Sequence, residues 1–561
     1  MAIQIEVFTT SDDAFVAWRS PEQIADCIGF ELRRKRKGKV EIVRNRVSFS
    51  SGEPDPTSPG SSLKSPLRRY TWTDHEVNSG DKVSYQVVPV IQNGGGKPDA
   101  DEGSASPFSK AAELSGDVGD SFECYFNRGL VISQFMSRFF KGNFSRKSTD
   151  AFKKSINLAT ENKIRIFLGG DLRGRLLELL DQTKQSKGHV FCALFELSDE
   201  ILIEKLAALG DHAHIVLSNG AHTSRDDDQN ADSRKTLQDA GCEVKDRMLA
   251  SGVLGHNKFM AICDKDEIPQ AAWTGSTNWS PTGLCTQVNN GIVIKDPGVG
   301  KFFKDQFDRL SAAENSTPKE LIDENSTVKS TTMATIGADV WFTRSSDEQE
   351  MDAANKLIKG AQEGIVFLMF QPGGSPMLDA IIDRQAENPK LFVKGVISTM
   401  DSKETDVAKV SLVDHKGAKK VPKFEIVQPS GLKGVGKWAA EMARAAFLAQ
   451  IGFAIVHSKV IVIDPNGDNP IVITGSHNFS AAASKKNDEN MVIIRGHQAL
   501  AKAYAVNVQS VYDHYNFRAV ANSMQKDGKS VIDVMKDPKS WQKAWFHGEK
   551  ALELDFWLGR A

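Results

Sequence analysis

Residues 256–278 read HNKFMAICDKDEIPQAAWTGSTN, and residues 457–478 read HSKVIVIDPNGDNPIVITGSHN. Both stretches run His-x-Lys, an apolar segment, an acidic residue, a short turn and Thr-Gly-Ser-x-Asn. The two histidines stand 201 residues apart, and each precedes its asparagine by 22 or 21 residues. A pattern of this length occurring twice in one chain marks an internal duplication.

The spacing has a physical reading. His-x-Lys opens a β-branched, apolar run, so it starts a strand. Side chains on a strand alternate faces, so His256 and Lys258 share one side, as do His457 and Lys459. Pro465-Asn466-Gly467-Asp468 is a turn signal. The strand that follows returns Gly475-Ser476-His477-Asn478 toward its own His-x-Lys, and Gly275-Ser276-Thr277-Asn278 repeats this. Each copy thus gathers an imidazole, a cation and short neutral hydrogen-bonding groups. Such a set suits an anionic, oxygen-rich group such as phosphate.

The doubled H-x-K…D…G-S-x-N pattern resembles the phospholipase D superfamily, and the repeats around it extend the resemblance over roughly residues 120–520. The resemblance implies that both copies meet to form one active site. One histidine attacks phosphorus and becomes a phosphohistidine. The other protonates the leaving alcohol and then activates water or an incoming alcohol. Lys258, Lys459, Asn278 and Asn478 would hold the phosphate oxygens, with Ser276 and Ser476 adding hydrogen bonds. Gly275 and Gly475 would permit the tight backbone, and Asp264 and Asp464 would be structural. No metal or other cofactor is implied.

The copies are unequal. Four residues separate Lys459 from Asp464, whereas the corresponding position in the first copy is Cys263 and the aspartate follows at Asp264. A strand bulge or an insertion accounts for the slip. Fifteen residues after the motif glycine the second copy has Asn487-Asp488-Glu489-Asn490 and the first has Gln287-Val288-Asn289-Asn290. Related enzymes place a carboxylate there against the catalytic histidine, so Glu489 is expected to back His457, leaving His256 without one. A carboxylate beside an imidazole stabilises its protonated form and fixes its tautomer. On this reading His457 is the general acid and His256 the nucleophile, in agreement with most two-copy relatives.

The surrounding sequence also repeats. Phe126-Asn127-Arg128 is echoed by Phe342-Thr343-Arg344, and strand-like and helix-like runs alternate in the same order in both halves. This pattern argues for an α/β fold. The expected architecture is two pseudo-symmetric phospholipase D-like α/β repeats, over 118–330 and 331–561, each a sheet with helices on both faces. Residues 1–93 show short alternating runs instead and resemble an immunoglobulin-like or fibronectin type III-like β-sandwich, with Trp18 in its core and Tyr85 at a corner. Residues 94–117, rich in Gly, Asp, Ser and Pro, read as a linker.

No run of 18 apolar residues exists, and the N-terminus lacks a basic segment followed by an apolar core. No transmembrane helix or signal peptide is expected, and a cytoplasmic location is the default, with non-classical secretion left open. Six scattered cysteines, without CxxC pairs, read as reduced and buried. The net charge of −2 does not mark a dedicated nucleic-acid binder. The basic clusters Arg33–Lys37 and Lys416–Lys423 would meet an anionic membrane or a nucleic acid, or are simply solvated. His212, His214, His222, His415, His497, His514 and His547 read as surface or packing residues. The tail aromatics Trp541, Trp545, Phe546, Phe556 and Trp557 are expected to pack back on the body. His222–Ser233 and Asp401–Lys423 read as loops over the site, and Trp438–Ile451 as an apolar helix.

The expected function is that of a monomeric, metal-independent phosphodiesterase acting on phospholipids, with peripheral membrane contact and a sandwich domain of unknown ligand. A nuclease of the same superfamily and a catalytically degenerate binding scaffold are the alternatives.

Overall fold

The computed structural model describes residues 3–45, 60–92, 97–129, 163–370, 375–398, 412–413, 419–420, 426–427, 456–526 and 540–559. Most of Asp401–Lys423 and all of Trp438–Ile451 lie outside the described residues.

The two motif copies each build a hairpin in the centre of an eight-stranded sheet. The first sheet runs Asp117–Gly119, Phe122–Phe126, Asn290–Ile294, Pro269–Gly275, Lys258–Cys263, His189–Leu194, Ala213–Ser218, Glu243–Arg247. The second runs Lys329–Met333, Ile336–Phe342, Asn490–Arg495, Ile471–Gly475, Val460–Ile463, Gly364–Met369, Phe392–Ile397, Ile426–Val427. The order is the same in both, so the duplication read from the motifs covers the whole sheet. The last three strands of each sheet are parallel and the rest antiparallel.

Strand alternation sorts the apolar residues into three layers. Phe191 and Ala193 face a central core shared with Val366 and Leu368 of the other half. Val190, Cys192 and Leu194 face an outer core under helices Lys163–Ser186 and Glu200–Ala207. Ile365, Phe367 and Met369 do the same under helices Gln349–Lys359 and Pro376–Glu387. Helices Pro297–Ala313 and Gln498–Lys526 fill the central layer, through Phe303, Phe307, Tyr504 and Tyr512 among others. Each half is therefore a sheet with helices on both faces, and the halves share one core.

The unequal aspartates have a structural cause. The register of the first hairpin shifts between Ile262 and Cys263, which is a bulge. Asp264 consequently caps its own turn, accepting from Asp266 N at 2.9 Å and Ile268 N at 3.0 Å. Asp464 reaches across to the neighbouring strand and accepts from Gln362 N at 2.8 Å, Glu363 N at 2.7 Å and Gly364 N at 2.9 Å. Asp464→Ala strands three backbone donors, and is expected to cost about 1–3 kcal/mol in denaturant unfolding. Asp264→Ala, at an exposed turn, should cost less than about 1 kcal/mol. Equal costs would show that the strand-to-strand staple adds nothing.

The N-terminal region is a β-sandwich. One sheet pairs Gln4–Thr9, Ala14–Arg19 and Thr71–Asp74; the other is built on Cys27–Arg36, Lys39–Ile42 and Lys82–Gln92. Trp18 is fully buried against Phe30, and Tyr85 donates to Asp74 Oδ2 at 2.8 Å. The linker expected over 94–117 is corrected. Pro98–Ala100 and Ala112–Glu113 pair with the edge of Lys82–Gln92, and Leu114 is buried in the sandwich core. The long strand leaves an open edge, and short polar segments satisfy it. Helix Lys319–Asn325 and strand Lys329–Met333 follow the first repeat, so the expected 330/331 boundary falls inside a strand.

The arginines of the 33–37 cluster are neutralised. Arg33 pairs with Glu102, Arg34 with Asp74 and Glu41, and Arg36 with Asp81. Lys35 and Lys37 of the same cluster remain exposed. The tail aromatics bind the sandwich to the body. Trp541, Trp545 and Phe546 pack on Tyr70, while Trp557 packs on Phe8 and Phe15. Arg19–Asp555 at 2.6 Å and Arg128–Asp12 at 2.8 Å reinforce the contact. All six cysteines are free and buried. Among the described residues, no helix is long and apolar enough to cross a membrane.

Candidate active site

The two His-x-Lys segments enter their central strands side by side. The rings of His256 and His457 lie 6.4 Å apart at 73°. Both residues are 4% exposed, and Lys258 and Lys459 beside them are buried almost completely. Lys258 Nζ donates to the His256 carbonyl at 2.7 Å, and Lys459 Nζ makes the same bond to the His457 carbonyl. The structure brings these four residues together.

The partners of the imidazoles are exchanged between the halves. His256 Nδ1 lies 3.2 Å from Glu489 Oε2, and His457 Nδ1 lies 2.9 Å from Asn289 Oδ1. The expected pairing of Glu489 with His457 is therefore corrected. The segment ahead of each edge-side strand crosses to the other half's motif. Val288 bridges Val456, and its carbonyl accepts from His457 N and Ser458 N, both at 2.9 Å. Asp488 N donates to Leu254 O at 2.8 Å in the same manner. Asn290 Nδ2 donates to Thr474 Oγ1 at 2.9 Å and Thr274 Oγ1 to Asn490 Oδ1 at 2.6 Å, reciprocal bonds that bind the halves at the site. Beneath it, buried Asp488 pairs with Arg247 and Arg344.

The Asn289 amide is oriented by its other bonds. Its Nδ2 donates to Gly283 O at 2.8 Å, and its Oδ1 accepts from Ser276 Oγ at 2.7 Å. Its oxygen therefore faces His457, which must carry its proton on Nδ1 and leave Nε2 with a lone pair.

The motif serines are placed differently from the expectation that they grip phosphate. Ser276 Oγ and Ser476 Oγ are fully buried and accept from Asn290 N and Asn490 N, each at 3.0 Å. They lock the ends of the central strands. Gly275 and Gly475 are required there. Their φ values are +152° and +135°, and an added Cβ would lie 2.3 and 2.4 Å from the carbonyl oxygens of Asn290 and Asn490. Asn278 Nδ2 donates to Glu196 Oε2 at 2.9 Å, whereas Asn278 Oδ1 and Asn478 Oδ1 are buried without a bonded partner.

Three site residues escaped the sequence reading. Phe195 and Phe370 stand edge-on to His256 and His457 at 4.8 and 4.7 Å, and their faces lie 4.9 and 4.8 Å from Lys258 Nζ and Lys459 Nζ. Both continue the apolar strands His189–Leu194 and Gly364–Met369, a shared position that comparison of the halves reveals. Glu196 follows Phe195 and has no such internal signal. In the loop after Ala213–Ser218, Asn230 fixes Phe195 by donating to its carbonyl at 2.8 Å.

Burial dominates the electrostatics. It holds His256 down to about 4, with Lys258 acting in the same direction against Glu489. It holds Lys258 down to about 7, against the pull of Glu489 and Glu196. His457 and Lys459 lie well below their ordinary ranges for the same first reason, with the lysines repelling. Burial would raise Glu489, but the neighbouring His256 and Lys258 hold it low; burial does raise Glu196. The site thus holds neutral imidazoles and poorly solvated lysines that an anion would stabilise. Below about pH 7 Lys258 is already charged; above it, anion binding must take up a proton. Tungstate affinity is expected to fall as pH rises from about 6 to 9, by up to about tenfold per unit for each proton taken up. Titration calorimetry in buffers of different ionisation enthalpy checks this; no proton uptake above pH 7 would refute it.

The family described as cardiolipin synthase, PLD-like domain, matches residues 176–311 and 355–511, just over half of the chain. The chain belongs to the phospholipase D-like family. Its two matched segments contain the two motif copies, and family membership makes it a phosphodiester-active enzyme in the general sense. The phospholipase D of Rickettsia conorii is 53% identical over 53 residues, which are 9% of this chain and 24% of that protein. The chain spans about a quarter of the length of the curated relatives it matches. Phosphatidylserine synthase of Haemophilus influenzae Rd KW20 is 11% identical, covers 72% of this chain and 98% of its own, and gives a TM-score of 0.41. Yeast tyrosyl-DNA phosphodiesterase is also 11% identical, covers 58% of this chain and 88% of its own, and gives a TM-score of 0.32.

Proposed function

We propose that this phospholipase D-like protein cleaves, or transfers, the phosphodiester of a phospholipid through a phosphohistidine on His256. The observation that carries the chemistry is the exchanged anchoring of two facing imidazoles between buried lysines. The intact pairing on both sides favours an enzyme over a degenerate scaffold. The lipid assignment draws on the family description and on the named activity of the curated relatives.

The roles follow from the anchors. Glu489 draws the Nδ1 proton of His256, which raises electron density at Nε2 for attack on phosphorus. As the N–P bond forms and the P–O bond breaks, the imidazole becomes cationic, and Glu489 offsets that charge. Asn289 fixes the tautomer of His457 without a countercharge, so its imidazolium is the stronger acid of the two. The bound phosphodiester supplies the negative charge that lets His457 protonate. His457 then gives its Nε2 proton to the leaving alkoxide, and takes one from water or an alcohol when that oxygen displaces His256 from phosphorus. Lys258, Lys459, Asn278 and Asn478 hold the non-bridging oxygens, which removes the need for a divalent ion in charge neutralisation. His256 is thus the nucleophile because Glu489 backs it, and not because it lacks a carboxylate as the spacing implied.

Glu489→Gln should lower kcat by about 10²–10⁴-fold with little change in KM, because the carboxylate acts on His256 and not on substrate. An unchanged kcat would remove Glu489 from the mechanism. The functional test is head-group release from mixed phospholipid vesicles in EDTA. Release confirms a lipid phosphodiesterase that needs no added metal. Turnover of a chromogenic phosphodiester or of single-stranded DNA, without head-group release, would overturn the lipid assignment and leave the chemistry in place.

A further inference from the structure

The first half carries a second cluster of histidines, at the opposite end of its central strands from the catalytic pair. Lys258 pairs with Leu194 at one end, and Cys263 pairs with His189 at the other. His189 Nδ1 and His214 Nε2 lie 3.1 Å apart, and Glu267 completes a set whose ligand atoms all fall within 4.8 Å of one another. Tetrahedral zinc with bonds of about 2.0–2.1 Å to nitrogen places two ligand nitrogens roughly 3.3 Å apart. The observed separation is close to that edge.

The surroundings are organised as metal sites are. His214 Nδ1 bonds Glu243 Oε2 at 2.7 Å, which fixes its ring and directs Nε2 toward His189. Phe191 stacks on the His214 ring at 4.3 Å and 5°, and the His212 ring stacks on His189 at 4.2 Å. The corresponding corner of the second half is built otherwise. Gly364 stands where the first half has His189, and Asp464 ties its N–H. In the first half the aspartate has slipped into the hairpin turn that carries Glu267, and His189 occupies the strand start. The shifted aspartate and the histidine at the strand start, two departures of the first copy from the second, thus fall at this one corner.

We propose that His189, His214 and Glu267 bind one divalent transition-metal ion of the zinc class, with the remaining position open to water. Two imidazoles and a carboxylate suit such an ion better than magnesium or calcium. The site joins three neighbouring strands and the hairpin turn, and it is independent of the phosphodiester chemistry.

The test uses metal-stripped full-length protein carrying His256→Asn and His457→Asn, so that the catalytic imidazoles do not compete. Calorimetric titration with ZnCl2 should show one site per chain and MgCl2 none. Glu243→Gln, which reaches the ion only through His214, should weaken zinc binding by about 10–100-fold, and His189→Asn with His214→Asn should abolish it. Diethylpyrocarbonate labelling read by mass spectrometry needs no change at the cluster: zinc should protect His189 and His214 and leave His222 reactive. Zinc binding that survives the double replacement, or unprotected histidines at saturating zinc, would overturn the proposal.

Discussion

His256→Asn is expected to abolish turnover, by roughly 10⁵-fold or more, because it removes a covalent nucleophile from a unit that acts together. Asparagine keeps a hydrogen-bonding side chain of smaller size, so the fold should persist. The buried Glu489 then loses its imidazole but keeps Asn487, His477 and Lys258 around it. The decisive readout is covalent: a labelled phosphodiester should leave no phosphoenzyme in this variant. Phosphoenzyme formed at His457 in its place would exchange the two roles.

The second large effect separates the two half-reactions. His457→Ala removes the proton donor for the leaving group and the base for the incoming oxygen. Each loss is worth about 10²–10⁴-fold. A substrate with an activated leaving group needs little protonation, so its first step should be largely restored. The second step still lacks its base, and phosphorylated His256 should accumulate. Acid-labile label on the peptide containing His256, stoichiometric with enzyme, is the expected result. Equal loss for activated and ordinary substrates, with no trapped label, would contradict the general-acid role.

Much of the architecture was legible because its signals are local. His-x-Lys, the turn and the Gly-Ser pair lie within one hairpin, and strand alternation places them on one side. The repeat of that hairpin implied the second sheet. What eluded the sequence depends on contacts between halves. Spacing ties Glu489 to His457 of its own repeat and leaves Asn289 without a role, because equal spacing from each glycine looks like a local relation. The crossing of Val288 beside Val456 is a tertiary event that no spacing encodes. The serines are ambiguous for a related reason: short hydroxyls suit phosphate and strand locking equally, and only burial separates the two. The Gly- and Pro-rich stretch near residue 100 has linker composition, yet a long neighbouring strand recruits it.

The exchange of anchors makes catalytic competence a property of docking. A half that folded alone would present an imidazole with no group to set its proton, however sound its own hairpin. Separately produced halves should be silent, and mixing them should restore activity only as far as they reassociate. The same arrangement gives the duplicated gene an unusual freedom: a change in one repeat retunes the histidine of the other, so acid and nucleophile can diverge while both signature motifs stay intact.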